Sequence, residues 1–171
     1  MSLLNEIAYR FFGNRYRIKL LQKKGVTIGN YCSIEGNCSF GSEPYLITIG
    51  DNVKITNGVS FVTHDGGVYV LRKYKNIPDA DIFGTIKIGN NVFIGNKAVV
   101  MPGVRIGDNC IIGYGAIITK NIPEGSVAVG VPAKVIKTID EYYDGVSERI
   151  VNTKSFSYEE KKKFLNDYYI K

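Results

Sequence analysis

The chain contains a single histidine, three cysteines and no tryptophan in 171 residues. One histidine argues against a zinc site built from three imidazoles. The cysteines, Cys32, Cys38 and Cys110, form no Cys-x-x-Cys pair, so neither a zinc cluster nor a disulfide framework is indicated. No apolar run approaches the ~20 residues that a membrane span needs. Glu6 and Arg10 break any apolar stretch near the start, so no signal peptide is read there and a cytoplasmic location is expected. Acidic residues are the minority, 16 against 22 basic, for a formal net charge of +6. That balance suits an anionic ligand such as a nucleotide, and equally nucleic acid or an anionic membrane surface. No DNA- or RNA-binding module is written in the chain, so a nucleic-acid partner is not expected. The length fits one domain with a proper core.

What the sequence does have is a period of six. From Ile94 it reads IGNKAV, VMPGVR, IGDNCI, IGYGAI, ITKNIP. A branched aliphatic opens each unit (Ile94, Val100, Ile106, Ile112, Ile118), usually followed by Gly or another small or polar residue. The fifth position holds Ala98, Val104, Cys110, Ala116 and Ile122. Neither a helical heptad nor simple strand alternation produces this spacing. It predicts a parallel β-helix: each unit is a short strand and a turn, three units close one triangular coil, and the opening aliphatics stack inward from coil to coil. The cysteines all fall at the fifth position, where a small side chain fits a cramped interior.

Taken in order, residues 1–25 read as an amphipathic helix with a break expected near Gly13. Leu4, Ile7, Ala8, Phe11, Ile18 and Leu21 recur at three- and four-residue steps, and Arg10, Arg15, Arg17, Lys19, Lys23 and Lys24 make the remainder basic. Such a segment caps the open end of a β-helix, or docks peripherally on an anionic membrane; both readings stand. The repeat region runs over residues 26–134. It starts at Ile28, slips by three residues within 41–48, where Pro44 marks a small corner loop, and resumes at Ile49. From Phe61 the next in-phase aliphatic is Ile88, 27 residues on, so residues 63–85 must leave the coil as a protruding loop. Loops of this length are uncommon without a function. Residues 135–171 are expected to be a helical segment: 135–143 as one helix, and a capping box at Ser157 and Glu160 opening another through Tyr169.

The stretches IKIGNNVFIG, PGVRIGDNCIIGYGAIITK and GVPAK within 86–134 resemble the hexapeptide-repeat acyltransferases, and the resemblance extends over residues 26–137. Within that family the text is similar to the O-acetyltransferases of sugars and of capsular or lipopolysaccharide precursors. The resemblance implies an all-β core in the form of a left-handed parallel β-helix, acetyl-CoA as co-substrate, no metal requirement and a homotrimer with sites between subunits. Left-handed coiling comes from the resemblance and runs against the usual crossover preference.

His64 stands at the root of the protruding loop and is the one candidate for a general base near neutral pH. The family uses a histidine at such a loop root. The implied reaction is direct transfer, in which His64 takes the proton of an acceptor hydroxyl as that oxygen attacks the thioester, with a backbone N–H stabilising the oxyanion. A cysteine nucleophile is disfavoured because the thiols point inward. The group that orients His64 is left open among a carbonyl, Asp79 and Asp81, with Asp65 disfavoured by strand geometry. Maltose- and galactoside-type members carry an Asn shortly before the histidine. Here that position is Gly58, with Asn57 beside it, which puts the acceptor rather than the chemistry in question. Asn57, Asp65 and Arg72 are the acceptor-side candidates, Arg72 as a contact for an acidic or phosphorylated sugar or as a solvated loop residue. On the donor side the resemblance points to Gly113, Tyr114, Gly115 and Ala116 along the pantetheine arm. It places Thr119, Lys120 and Lys134 toward the nucleotide end, with Phe93 and Asn96 on the same groove.

Two alternatives stay open on the sequence. N-acetylation of an amino sugar or nucleotide sugar would use the same base. A non-catalytic β-helix scaffold would not need the long loop, its histidine and the GVPAK tail together. A carbonic anhydrase on this fold needs three histidines and is disfavoured.

Overall fold

The computed structural model describes the backbone of residues 3–170 and the side chains of residues 13–170. Its body is a three-sided prism of stacked parallel strands. The first face carries Thr27–Ile28, Ile47–Ile49, Ile86–Ile88 and Arg105–Ile106. The second carries Ser33–Ile34, Lys54–Ile55, Phe93–Ile94, Ile111–Ile112 and Ser126–Val129. The third carries Ser60–Phe61, Val99–Val100 and Ile117–Ile118, with Ser39 bridged to Ser60. The chain visits the three faces in that order, one six-residue unit per face.

The register explains the repeat. On the second face Ile34, Ile55, Ile94, Ile112 and Ala128 stand in line, and on the third Phe61, Val100 and Ile118 do. All eight are buried. Wholly burying one such aliphatic is worth roughly 1.5–3 kcal/mol relative to leaving it in water. A change that moved the period by one residue would turn that column outward. The fifth positions Ala98, Val104, Cys110, Ala116 and Ile122 are buried as well. Of the thiols, Cys32 and Cys110 are buried and Cys38 is half-buried. Each donates to a carbonyl one coil on: Cys32 to Gly50 at 3.1 Å, Cys38 to Thr56 at 3.2 Å and Cys110 to Pro123 at 3.1 Å.

The edge between the first and second faces is held by side-chain amides. Asn52 donates to Asn91 and Asn91 to Asn109, each at 2.8 Å. These three asparagines have positive φ, a region that Asn tolerates better than most residues.

Helix α1 (Leu3–Lys23) is interrupted at Gly13, whose φ of 65° and ψ of −161° are not helical. Beyond Gly13 the helix covers the end coil. Asn14 donates to the Cys32 carbonyl and accepts from the Ile34 amide, both at 2.8 Å, and so occupies backbone groups of an edge strand that has no further strand beside it. Arg17 donates to the Gly36 carbonyl, and Leu21 joins the core. The apolar positions read at Leu4, Ile7, Ala8 and Phe11 lie outside the described side chains.

Residues 63–85 do leave the prism. They form an arm with a short helix, α2 (Val68–Tyr74), before the chain rejoins the first face at Ile86. Residues 41–48 hold a 3-10 turn, Pro44–Leu46, ahead of the Ile47–Ile49 strand. The far end departs from the helix expected over 135–143. Lys134–Thr138 is a strand antiparallel to Ser126–Val129, and α3 (Ile139–Val146) starts only after it. The β-branched Val135 and Ile136 add to an unpaired sheet edge, and the Thr138–Glu141 capping box sets the later helix start. Helix α4 (Tyr158–Tyr169) opens on the Ser157–Glu160 capping box as expected. Among the described residues no helix is long and apolar enough to cross a membrane.

Candidate active site

The two departures from the six-residue period meet. His64 follows the third-face strand Ser60–Phe61, at the corner where the chain turns toward the first face. The arm is closed at its root by an antiparallel bridge between His64 and Phe83, with the Asp65 amide on the Ile82 carbonyl and the Gly84 amide on the Thr63 carbonyl, both 2.9 Å. Gly84 packs directly against the backbone of Pro102 and Gly103 on the next coil, where a Cβ has no room. His64 is therefore held on a neck fastened to the prism.

The slip within 41–48 supplies its partners. Nδ1 of His64 lies 3.2 Å from Oε2 of Glu43 and 3.2 Å from Oγ of Ser42. The same Glu43 oxygen accepts from the Thr63 hydroxyl at 2.7 Å. Glu43 and His64 are 21 residues apart, the same offset as the stacked pairs Thr27–Thr48, Ser33–Lys54 and Ser39–Ser60 of the first two coils, so the carboxylate lies one coil from the ring at the same corner. Gly41 permits the approach: its φ is +64° and a Cβ there would lie 2.6 Å from the Thr63 hydroxyl. The Thr63 hydroxyl, with smaller help from Ser42 and His64, holds the Glu43 carboxyl below its ordinary value against the opposing effect of burial. An ionised Glu43 favours the tautomer with the proton on Nδ1, which leaves the lone pair on Nε2.

Around the ring is an open cleft of about 410 Å³, lined among others by Ser42, Glu43, Asp65, Tyr69, Arg72 and Phe83. Asp65 lines it, yet its carboxylate accepts from the Gly67 amide at 2.8 Å and so caps the turn into α2. Arg72 also lines it, with Nε on the Ala80 carbonyl at 2.9 Å and Nη2 on Asp81 at 2.6 Å. The guanidinium thus ties α2 to the returning limb of the arm, and Asp81 pairs with Arg72 rather than with the histidine. Asn57 is not among the cleft residues. It sits at the edge between the second and third faces, accepts from the Asn37 amide at 2.7 Å and underlies Lys97.

The donor-side candidates are spread over the prism. Asn96 and Gly113, Tyr114 and Gly115 stack at the same edge as Asn57, with the Gly115 amide on the Asn96 carbonyl at 2.9 Å. Tyr114 is exposed, and the Lys97 ammonium stands 5.8 Å from its ring centre. Ala116 points into the core, so only its backbone can meet a ligand. Thr119 and Lys120 lie at the corner on His64's side of the third face, two coils further on. Phe93 projects from the second face over a cleft of about 290 Å³ shared with Lys54, Asn91, Ile111 and Ile139. Lys134 is exposed at the start of the antiparallel strand. One chain therefore does not gather these residues into one pocket. Among the described residues no group of three or more His, Cys, Asp or Glu side chains could hold a metal ion.

Sequence reasoning does not single out Ser42 and Glu43. The signal for them is register: 21 residues before Thr63 and His64, the offset of the first two coils, the chain reads Ser42 and Glu43.

Residues 85–120 match the family model for bacterial transferase hexapeptide repeats, six to the set. The chain is 52% identical over 148 residues to protein CapG of Staphylococcus aureus, spanning 85% of this chain and 84% of that one. It is 46% identical over 101 residues to galactoside O-acetyltransferase of Escherichia coli strain K12, spanning 58% of this chain and 47% of that enzyme. A solved galactoside acetyltransferase in complex with coenzyme A superposes with a TM-score of 0.59 at 34% identity, over 75% of this chain and 72% of that one.

Proposed function

Because the chain belongs to the hexapeptide-repeat acetyltransferase family, with its left-handed parallel β-helix, we propose that it moves an acetyl group from acetyl-CoA to a hydroxyl of a sugar or surface-polysaccharide precursor. The observation that carries this reading is the clasp of Ser42, Glu43 and Thr63 around His64 in an open cleft.

His64 is the general base and Glu43 its positioning residue. With the Nδ1 proton directed at Glu43 and Ser42, Nε2 takes the proton of the acceptor hydroxyl. The acceptor oxygen forms its bond to the acetyl carbon as the carbon–sulfur bond of the thioester breaks. The proton on Nε2 then passes to the departing thiolate, which restores the neutral ring. No acyl-enzyme is required. Burial pushes the thiols of Cys32, Cys38 and Cys110 above their ordinary values, which makes each a poor nucleophile.

The donor reading draws on the relative solved with coenzyme A. Lys120 and Lys134 are exposed cations suited to phosphate. Tyr114 and the Gly113 and Gly115 backbone offer a surface for the pantetheine arm. Phe93 and His64 stand on different parts of the prism, so a cleft using both needs more than one chain, and a threefold homotrimer provides it. The acceptor reading draws on the galactoside enzymes. Because Arg72 is already engaged with Asp81, a neutral acceptor fits the cleft better than an acidic one.

The test is CoA release from acetyl-CoA with a panel of sugars, nucleotide sugars and serine, wild type beside His64→Ala. Turnover on one acceptor that falls by ~10²-fold or more in the variant is the expected result. Turnover that survives the substitution overturns the role of His64. A product stable to hydroxylamine would be an amide rather than an ester and would replace O- by N-acetylation.

A further inference from the structure

The net charge of this protein is confined to one stretch. Between Glu6 and Glu35 there is no acidic residue and there are six basic ones, Arg10, Arg15, Arg17, Lys19, Lys23 and Lys24. The other 16 basic residues are balanced by the 16 acidic ones. The structure sorts this basic stretch by face. Arg17 turns inward to the Gly36 carbonyl, beside Asn14 and Leu21, and that side of α1 is locked to the end coil. Arg15, Lys19 and Lys23 recur at four-residue steps on the opposite side, all exposed, with Lys24 just beyond the helix. Four-residue steps place the three on one ridge about 12 Å long. None of the four enters an ion pair among the described residues. The helical stretch that leads into this ridge has the sequence LLNEIAYRFF, rich in apolar and aromatic residues.

We propose that the outer ridge of α1, Arg15, Lys19 and Lys23 with Lys24, docks the protein on an anionic phospholipid surface. The chemistry is charge complementarity between the four exposed cations and anionic headgroups, the attraction by which basic segments bind such a surface. The sequence leading into the ridge, with Leu4, Ile7, Ala8 and Phe11 at helical steps, favours lipid over a nucleic-acid backbone, which would be met by cations alone.

The experiment is co-sedimentation of the full chain with phosphatidylcholine vesicles and with phosphatidylcholine–phosphatidylglycerol vesicles. The wild type is expected to bind only the anionic vesicles and to be released as salt approaches about 1 M, where the screening length is about 3 Å. Arg15→Glu, Lys19→Glu and Lys23→Glu together should lower the partition coefficient by at least about tenfold, since each basic residue contributes measurably near such a surface. The milder Arg15→Gln, Lys19→Gln and Lys23→Gln set, with an unchanged melting curve, separates lost docking from lost folding. Reversing Lys161, Lys162 and Lys163 on α4 alters the net charge equally and should leave binding unchanged. Failure of the wild type to bind anionic vesicles overturns the proposal. So does equal binding to neutral vesicles, equal loss with the α4 set, or tighter binding to a single-stranded RNA oligonucleotide.

Discussion

The uninterrupted coils from Ile86 to Ile118 and the two interruptions at 41–48 and 63–85 obey different rules. In the coils every sixth residue faces the interior and stacks on its equivalent, and the side chains there have no chemical role beyond filling space. In the interruptions the period fails, polar side chains turn toward one another, and the cleft opens. A repeat supplies rigidity, but it offers a side chain only fixed heights along an edge. The carboxylate and the imidazole stack one coil apart at the same corner, on the two segments that leave the repeat.

This contrast predicts opposite responses. Ile112→Ala removes a wholly buried side chain from the middle of the second-face column and should cost about 2–5 kcal/mol in denaturant unfolding. The matching change on the arm, Ile77→Ala, removes an exposed side chain and should stay within about 0.5 kcal/mol. Equal losses at the two positions would break the distinction.

Smaller in stability, and read chiefly in activity, is the effect of the carboxylate proposed to position His64. Glu43→Ala should lower kcat/KM for any acceptor that is turned over by about tenfold or more, while Glu43→Gln, which keeps an acceptor atom, should lose less. Loss of kcat with KM unmoved is the signature expected of a residue acting through His64.

The same carboxylate gives a pH-dependent contribution whose sign follows from its lowered value. A carboxyl that ionises more readily folded than unfolded stabilises the fold above its ordinary value near 4.5, and that contribution disappears as pH falls through the lower folded value. The stability difference between wild type and Glu43→Gln should therefore be level above about pH 4.5 and close below it. A difference that grows toward acid would contradict the sign.

Least in size is Asp81→Asn. It removes a partly exposed ion pair, so stability should shift by less than about 1 kcal/mol. The freed Arg72 should improve KM for acidic sugars relative to neutral ones.

Much of this fold is legible in the amino-acid sequence. The period of six names the inward residues one by one, and its failure after Phe61 marks the arm and His64. The cysteines at fifth positions lie inward as expected, because small interior sites recur with the coil. Three things are not legible there, each for a physical reason. Glu43 lies 21 residues before His64, in the register of the first two coils, and nothing local in 41–48 tells which of its polar side chains turns toward the ring. Lys134–Thr138 is a strand because a sheet edge is open to it, a demand set by the fold rather than by its own propensity. How Phe93, Tyr114 and Lys120 come to share the groove between subunits that the resemblance implies is not written in the sequence, because a single chain sets them on different faces and corners.

The most direct test is a double-mutant cycle on kcat/KM with His64→Ala, Glu43→Ala and both together, using one acceptor that the wild type acetylates. If Glu43 acts through His64, the double variant is no slower than His64→Ala alone, because a carboxylate with no ring to orient has nothing left to contribute. If the two losses multiply, Glu43 acts independently of the histidine, and the meeting of the two interruptions is not the origin of catalysis.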